Sequence, residues 1–172
     1  SKDSFSKKMM ERFRIEKLNC DLIRTDGKNP PGLYSIEINE KGERSFSYWR
    51  DQSPTKNIFL GSKGKHLLDN ISNSDIFYYS GISAGILDEN QKQQLIKVGA
   101  TADVCAFDFN FRHQLHYDKN RSQSLFIEIN NYVNINFVSY DDVRELFKIK
   151  KPNEIFNLLN NEKNLILLRY KN

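Results

Sequence analysis

Three runs of this chain hold side chains whose types and spacing suit the capture of an anionic, hydroxyl-bearing molecule. They are Gly32-Leu33-Tyr34-Ser35-Ile36-Glu37, Arg44-Ser45-Phe46-Ser47-Tyr48-Trp49-Arg50 and Phe107-Asp108-Phe109-Asn110-Phe111-Arg112. A guanidinium presents a planar fork that meets a carboxylate or phosphate through paired hydrogen bonds, and a phenol both donates to and accepts from an alcohol. Tyr34, Tyr48 and Arg50 in the first two runs, with Asp108, Asn110 and Arg112 in the third, therefore suggest an anion-and-polyol pocket.

Positioning them takes one hairpin and one strand end. The first two runs flank Asn39-Glu40-Lys41-Gly42-Glu43. A hairpin loop of about three residues, with Gly42 in the left-handed region, sets Tyr34 opposite Tyr48. Alternation then places Arg44, Phe46, Tyr48 and Arg50 on the face that carries Tyr34, Ile36 and Ile38, and sets Trp49 across from Leu33 as a packing residue. Further on, short apolar runs alternate with amphipathic ones: strands over 76–80, 104–107, 135–138 and 165–168, and helices over 88–97, 120–132, 141–147 and 152–161. That order predicts an α/β core over 75–172, with a parallel sheet, right-handed crossovers and helices on both faces. Before it, 5–18 has helical spacing capped by Asp3 or Ser4, 21–50 forms the hairpin segment, and 51–64 reads as a loop. The stretch 94–104 looks short for a helix and a return.

In open parallel sheets, ligands sit beyond the carboxyl ends of the strands. Asp108, Asn110 and Arg112 follow such an end, and alternation lets all three face one crevice while Phe109 and Phe111 anchor the other side. Plainer readings stand beside these. Tyr34 and Tyr48 also suit an ordinary cross-strand aromatic pair, Arg44 and Arg50 solvated strand positions, and Arg112 a salt bridge beside a helix.

Composition narrows the class. The chain has 172 residues, 38% hydrophobic and 28% charged, which suits one compact domain. Its net charge of +4 comes from dispersed Lys and Arg, so a local patch for small anions fits better than a nucleic-acid surface. Cys20 and Cys105 show neither disulfide nor zinc spacing, and Cys105 in an apolar run reads as a small buried residue. No apolar stretch suits a membrane span or a signal peptide, so no membrane partner and a cytoplasmic location are expected. His113 and His116 are three apart but have no third ligand near them; with His66 they read as polar loop residues. No serine sits in a nucleophile elbow, so hydrolase chemistry has no support.

Read in order, Asp3-Ser4-Phe5-Ser6, the GLYSIE and ERSFSYWR runs, Ser80-Gly81-Ile82-Ser83 with Ile86-Leu87, and the FDFNFR run resemble the 2-keto-3-deoxygluconate kinases of the ribokinase-like carbohydrate kinase family. The resemblance spans nearly the whole chain. It implies a ribokinase-like α/β fold, a mostly parallel doubly wound sheet with a projecting β-hairpin lid, and ATP with Mg2+ as cofactors. It also implies that Tyr34, Tyr48, Arg50 and Arg112 contact the sugar acid, that Asp108 and Asn110 lie near the phosphate, and that lid sheets can pair across a homodimer. Ser139 and Asp142 stand where the wider family often carries Asn and Glu to organise metal and phosphate. Asp142 is thus expected to act on a metal through water, or else simply as a carboxylate at a helix start. The family's glycine-rich turn with its aspartate base, and its first sugar-binding strand, have no counterpart in these 172 residues. The chain is therefore expected to be the central portion of a kinase domain, with the catalytic base outside it and no turnover on its own.

Three functions remain open at this point. One is a sugar-acid kinase acting on 2-keto-3-deoxygluconate, another a non-catalytic sugar-acid-binding module, and the third a family kinase for a neutral sugar such as fructose or ribose. The pairing of Arg50 with Arg112 favours the first over the third, because a neutral sugar offers a guanidinium fork no anion.

Overall fold

A computed structural model describes residues 2–25 and 28–170. The chain divides into two compact units, Ser1–Lys63 and Gly64–Asn172. In the first, α1 (Ser4–Ile15) starts where the Asp3 carboxylate accepts a hydrogen bond from the Ser6 amide, the expected cap. β1 (Leu33–Ile38) and β2 (Arg44–Trp49) form an antiparallel hairpin in the predicted register: Tyr34 faces Tyr48, Ile36 faces Phe46 and Leu33 faces Trp49. The Asn39 amide donates to the Glu43 carbonyl at 3.0 Å, which closes the loop over Glu40, Lys41 and Gly42. Gly42 has φ +77°, where a side chain would be strained. Every residue of both strands is exposed. Past the hairpin, a short 3-10 turn (Pro54–Asn57) receives the Arg24 guanidinium on the carbonyls of Asn57 and Ile58.

The second unit opens in α2 (Gly61–Ser72), whose first turn overlaps the loop expected over 51–64. Four parallel strands follow in the order β3 (Ile76–Ser80), β4 (Val104–Asp108), β5 (Ile135–Ser139) and β6 (Leu165–Arg169). Between them run α3 (Gly81–Ile86), α4 (Glu89–Gly99), α5 (Lys119–Asn130), α6 (Tyr140–Phe147) and α7 (Glu154–Leu159). Carboxylates start two of the longer helices, Asp88 accepting from Gln91 and Asp118 from Arg121. The stretch 94–104 proves long enough, since α4 ends at Gly99 and the Val104 amide already joins the Asp75 carbonyl at 2.9 Å. Gly99 permits the tight return, because a Cβ there would sit 3.2 Å from Cys105 Sγ.

Alternation gives the sheet two unlike faces. Tyr79, Cys105, Phe107, Asn136 and Val138 turn inward and are buried. Phe107, Phe109 and Phe126 pack with ring centroids 5.0–5.6 Å apart, joining α5 to this face. Burying each such ring contributes roughly 1.5–3 kcal/mol. The Cys105 thiol is pushed up to about 11 by burial, in keeping with an inert core residue. Asn136 is fully buried and donates to Asn130 Oδ1, which also accepts from Asn164; this links β5, α5 and the approach to β6. On the opposite face, Ile76, Tyr78, Phe137, Leu165 and Leu167 remain 40–69% exposed. These exposed side chains lie on a face over which helices were expected. No helix among them is long and apolar enough to cross a membrane.

Candidate functional site

The end of β4 carries the site. Beyond Asp108 the chain leaves the strand without regular secondary structure, and Phe109 and Phe111 are buried while Asp108, Asn110 and Arg112 turn the other way. All three line one cavity of about 490 Å3 in the second unit, as their alternation predicts. Asn110 holds φ +33°, a left-handed value that asparagine tolerates better than most residues and that tends to occur where the backbone is forced to present a side chain. Arg112 Nη1 donates to the Phe111 carbonyl at 2.7 Å, which fixes one edge of its fork.

Asp142, in the first turn of α6, joins the same cavity with Oδ1 3.9 Å from Arg112 Nη1. Burial pushes its carboxyl above the usual range. Arg112, the Phe111 amide and Arg169 pull the other way, and the nearby charge of Asp108 adds to the rise. Two carboxylates close enough to sense one another are oxygen donors of the kind a hard divalent cation accepts when phosphates and waters complete its shell. The donor chemistry thus fits magnesium, although no group of three or more His, Cys, Asp or Glu among the described residues could hold a metal unaided.

Five further lining residues, Tyr78, Phe137, Val138, Leu167 and Arg169, were not singled out as site candidates from the sequence. The Tyr78 hydroxyl donates to Asp108 Oδ2 at 3.1 Å, and its ring meets Phe137 edge-on at 6.4 Å. Burial, aided by the charge of Asp108, raises the phenol's pKa. Leu167 completes an apolar floor with Tyr78 and Phe137. Arg169 ends β6 and donates from Nη2 to Ser139 Oγ at 3.3 Å. One signal in the sequence could have found it: Arg169 follows an apolar strand at its carboxyl end, as Asp108 does.

Tyr34, Tyr48 and Arg50 belong to the first unit. The two tyrosine rings lie 6.2 Å apart, and Arg50 Cζ sits 4.2 Å from the centre of the Tyr48 ring. Arg50 is thus held by cation–π attraction, a contact through the face of the guanidinium rather than the edge of its fork. Arg44 lies across from Ile38 at the hairpin's far end. The histidines part company. His113 is exposed near Glu145, but His116, read from the sequence as a polar loop residue, is buried. Its ring stacks on Phe111 at 5.4 Å and its Nε2 lies 3.0 Å from the Gly81 carbonyl.

The pfkB family carbohydrate kinase profile matches residues 1–167. This chain belongs to that family. It is 29% identical over 161 residues to the 2-dehydro-3-deoxygluconokinase of Haemophilus influenzae, covering 91% of this chain and 51% of that protein. This pfkB-family chain spans about half the length of the relatives it matches. In fold it is similar to a PfkB protein from Polaromonas sp. JS666, with TM-score 0.83 and 13% identity over 98% of this chain and 57% of the other. It is likewise similar to a fructokinase with bound ATP from Xylella fastidiosa, with TM-score 0.74 and 20% identity over 97% of this chain and 53% of that one. The parallel sheet, its helices and the separate antiparallel hairpin are thus those of the ribokinase-like α/β fold.

Proposed function

We propose that the protein is a sugar-acid kinase, which moves the terminal phosphoryl group of ATP to the 6-hydroxyl of 2-keto-3-deoxygluconate. In that step the sugar oxygen forms a bond to phosphorus as its proton leaves, and the bond from phosphorus to the bridging oxygen of ADP breaks. The observation that carries the reading is Arg112, whose guanidinium stands in the cavity beyond the strand ends, one N–H on the Phe111 carbonyl and, among the described residues, only a loose carboxylate 3.9 Å away to meet its charge. A substrate carboxylate can approach to about 2.8 Å and form two bonds at once, which makes the substrate the better partner. The kinship with a 2-dehydro-3-deoxygluconokinase supports that choice of substrate.

The same reading assigns Tyr34, Tyr48 and Arg50 to the sugar acid, and Asp108 and Asn110 to the region of the transferred phosphate. Asp108 and Asp142 would hold Mg2+ through water, and the ion would neutralise charge developing on the phosphoryl group. None of these residues is given the role of general base. Self-association through the hairpin sheet and a cytoplasmic location belong to the proposal as well.

An assay of the full-length protein coupled to ADP release tests it. Turnover of 2-keto-3-deoxygluconate is expected, and Arg112→Ala should weaken binding of that sugar acid by about 2–4 kcal/mol while hardly altering binding of fructose. Equal losses for both sugars would assign Arg112 to structure or phosphate. Absence of turnover by the folded wild type would remove the kinase reading itself.

A further inference from the structure

Asn110 and Arg112 stand on an arch of chain whose two feet rest on one residue. At the first foot, a Cβ on Gly81 would fall 2.1 Å from the Phe109 carbonyl oxygen, so backbone meets backbone there. At the second, His116 Nε2 lies 3.0 Å from the Gly81 carbonyl. A carbonyl oxygen only accepts, so Nε2 carries the hydrogen and donates. The imidazole is buried, stacks on Phe111 at 5.4 Å and meets Phe126 edge-on at 5.2 Å. α3 closes over it so tightly that a Cβ on Gly85 would fall 2.8 Å from Nε2. Between the feet, the 3-10 turn His113–Leu115 starts from Arg112, whose carbonyl accepts from the Leu115 amide at 2.8 Å. Arg112 is therefore tied through one turn of backbone to the ring that pins the arch, while its own side chain reaches into the cavity.

We propose that His116 is a positioning residue for the sugar-acid site: by donating to the Gly81 carbonyl and stacking on Phe111, it fixes the place from which Arg112 presents its guanidinium. The inference rests on the assignment of Arg112 to the substrate carboxylate, and adds to it a residue that acts without touching substrate. A bidentate contact between guanidinium and carboxylate needs both partners placed to within about half an ångström, so slack in the arch is felt as lost affinity.

Two measurements on the full-length protein test it, amide hydrogen exchange across 109–116 and calorimetric titration with gluconate, with circular dichroism as the check on folding. His116→Phe, or His116→Leu should the larger ring not fold, removes the donor to the Gly81 carbonyl and keeps an apolar filling. Exchange of the Leu115 amide and its neighbours should quicken by about tenfold while the amides of α5 keep their protection. Gluconate should bind about fivefold or more weakly, and His116→Gln, whose amide N–H reaches about as far, should recover most of that loss. In the Arg112→Ala protein the same change at His116 should move gluconate by less than about twofold, because the arch then presents no guanidinium. A folded His116→Phe protein that binds gluconate as the wild type does would overturn the proposal, as would equal losses with and without Arg112. Unchanged exchange over the arch would overturn it as well. If the wild type binds no gluconate, the sugar-acid reading falls, and exchange alone decides whether His116 holds the arch.

Discussion

The His116 ring is sealed between Phe111 and Phe126, with Nε2 at the Gly81 carbonyl. Burial, above all, lowers its pKa from 6.5; the carbonyl bond opposes that shift and the charge of Lys92 reinforces it. The unfolded chain therefore takes up a proton near 6.5 that the folded chain refuses. As pH falls from 6.5 to the lowered native value, stability should decline; below that value this group costs nothing more. Urea midpoints across this window should show the decline, and His116→Gln should flatten it. A slope that survives the substitution would belong to another group. None of this was legible in the sequence, because the spacing of His113 and His116 says nothing about which ring lies over an aromatic cluster. Asp108, Asn110 and Arg112 were legible, since alternation beyond a strand end is a local rule. Arg169 obeys the same rule, but with no hairpin or motif around it to draw notice.

Among the elements, α3 depends most on one residue. It begins where the chain leaving β3 meets the segment that carries Asn110. A Cβ on Gly81 would fall 2.1 Å from the Phe109 carbonyl oxygen and 2.8 Å from Phe126 Cζ. Neither can yield without moving the strand end or the aromatic core. Gly81→Ala should therefore cost about 3 kcal/mol or more in urea unfolding, well beyond an ordinary change of helix propensity. A loss below about 1 kcal/mol would mean that the turn relaxes freely. The strands were easy to place from their apolar runs, and Asp88 opened the helix expected over 88–97. Two helices escaped. The six residues GISAGI of α3 are too few to show a period, and the glycines of GSKGKHLLDNIS in α2 resemble loop punctuation. Gly64 and Ile71 are the buried residues of α2, and packing of that face supports the helix.

At the scale of the molecule, the second unit pairs two guanidiniums with two carboxylates in one cavity, so the site is close to neutral although the chain carries +4 overall. A ligand that brings both a divalent cation and phosphates suits such a balance better than a bare anion. The exposed apolar side chains on one sheet face make the unit an amphiphile. Its apolar side chains meet water in a broad plane rather than singly, and patches of that kind drive association when no partner covers them. The edge strands β3 and β6 sharpen the tendency, since each offers an unpaired row of amides beside that plane. Solutions of this 172-residue chain should bind anilinonaphthalene sulfonate while fully folded, and should show a solubility limit that depends on salt. Lysines at Ile76 and Leu165, away from the cavity, should quench the dye signal and raise that limit without altering the circular dichroism. An unchanged dye signal would mean that the plane is already dry. What looks like a binding scaffold would then also be, in colloidal terms, a surfactant whose head is its helical layer and whose tail is a sheet.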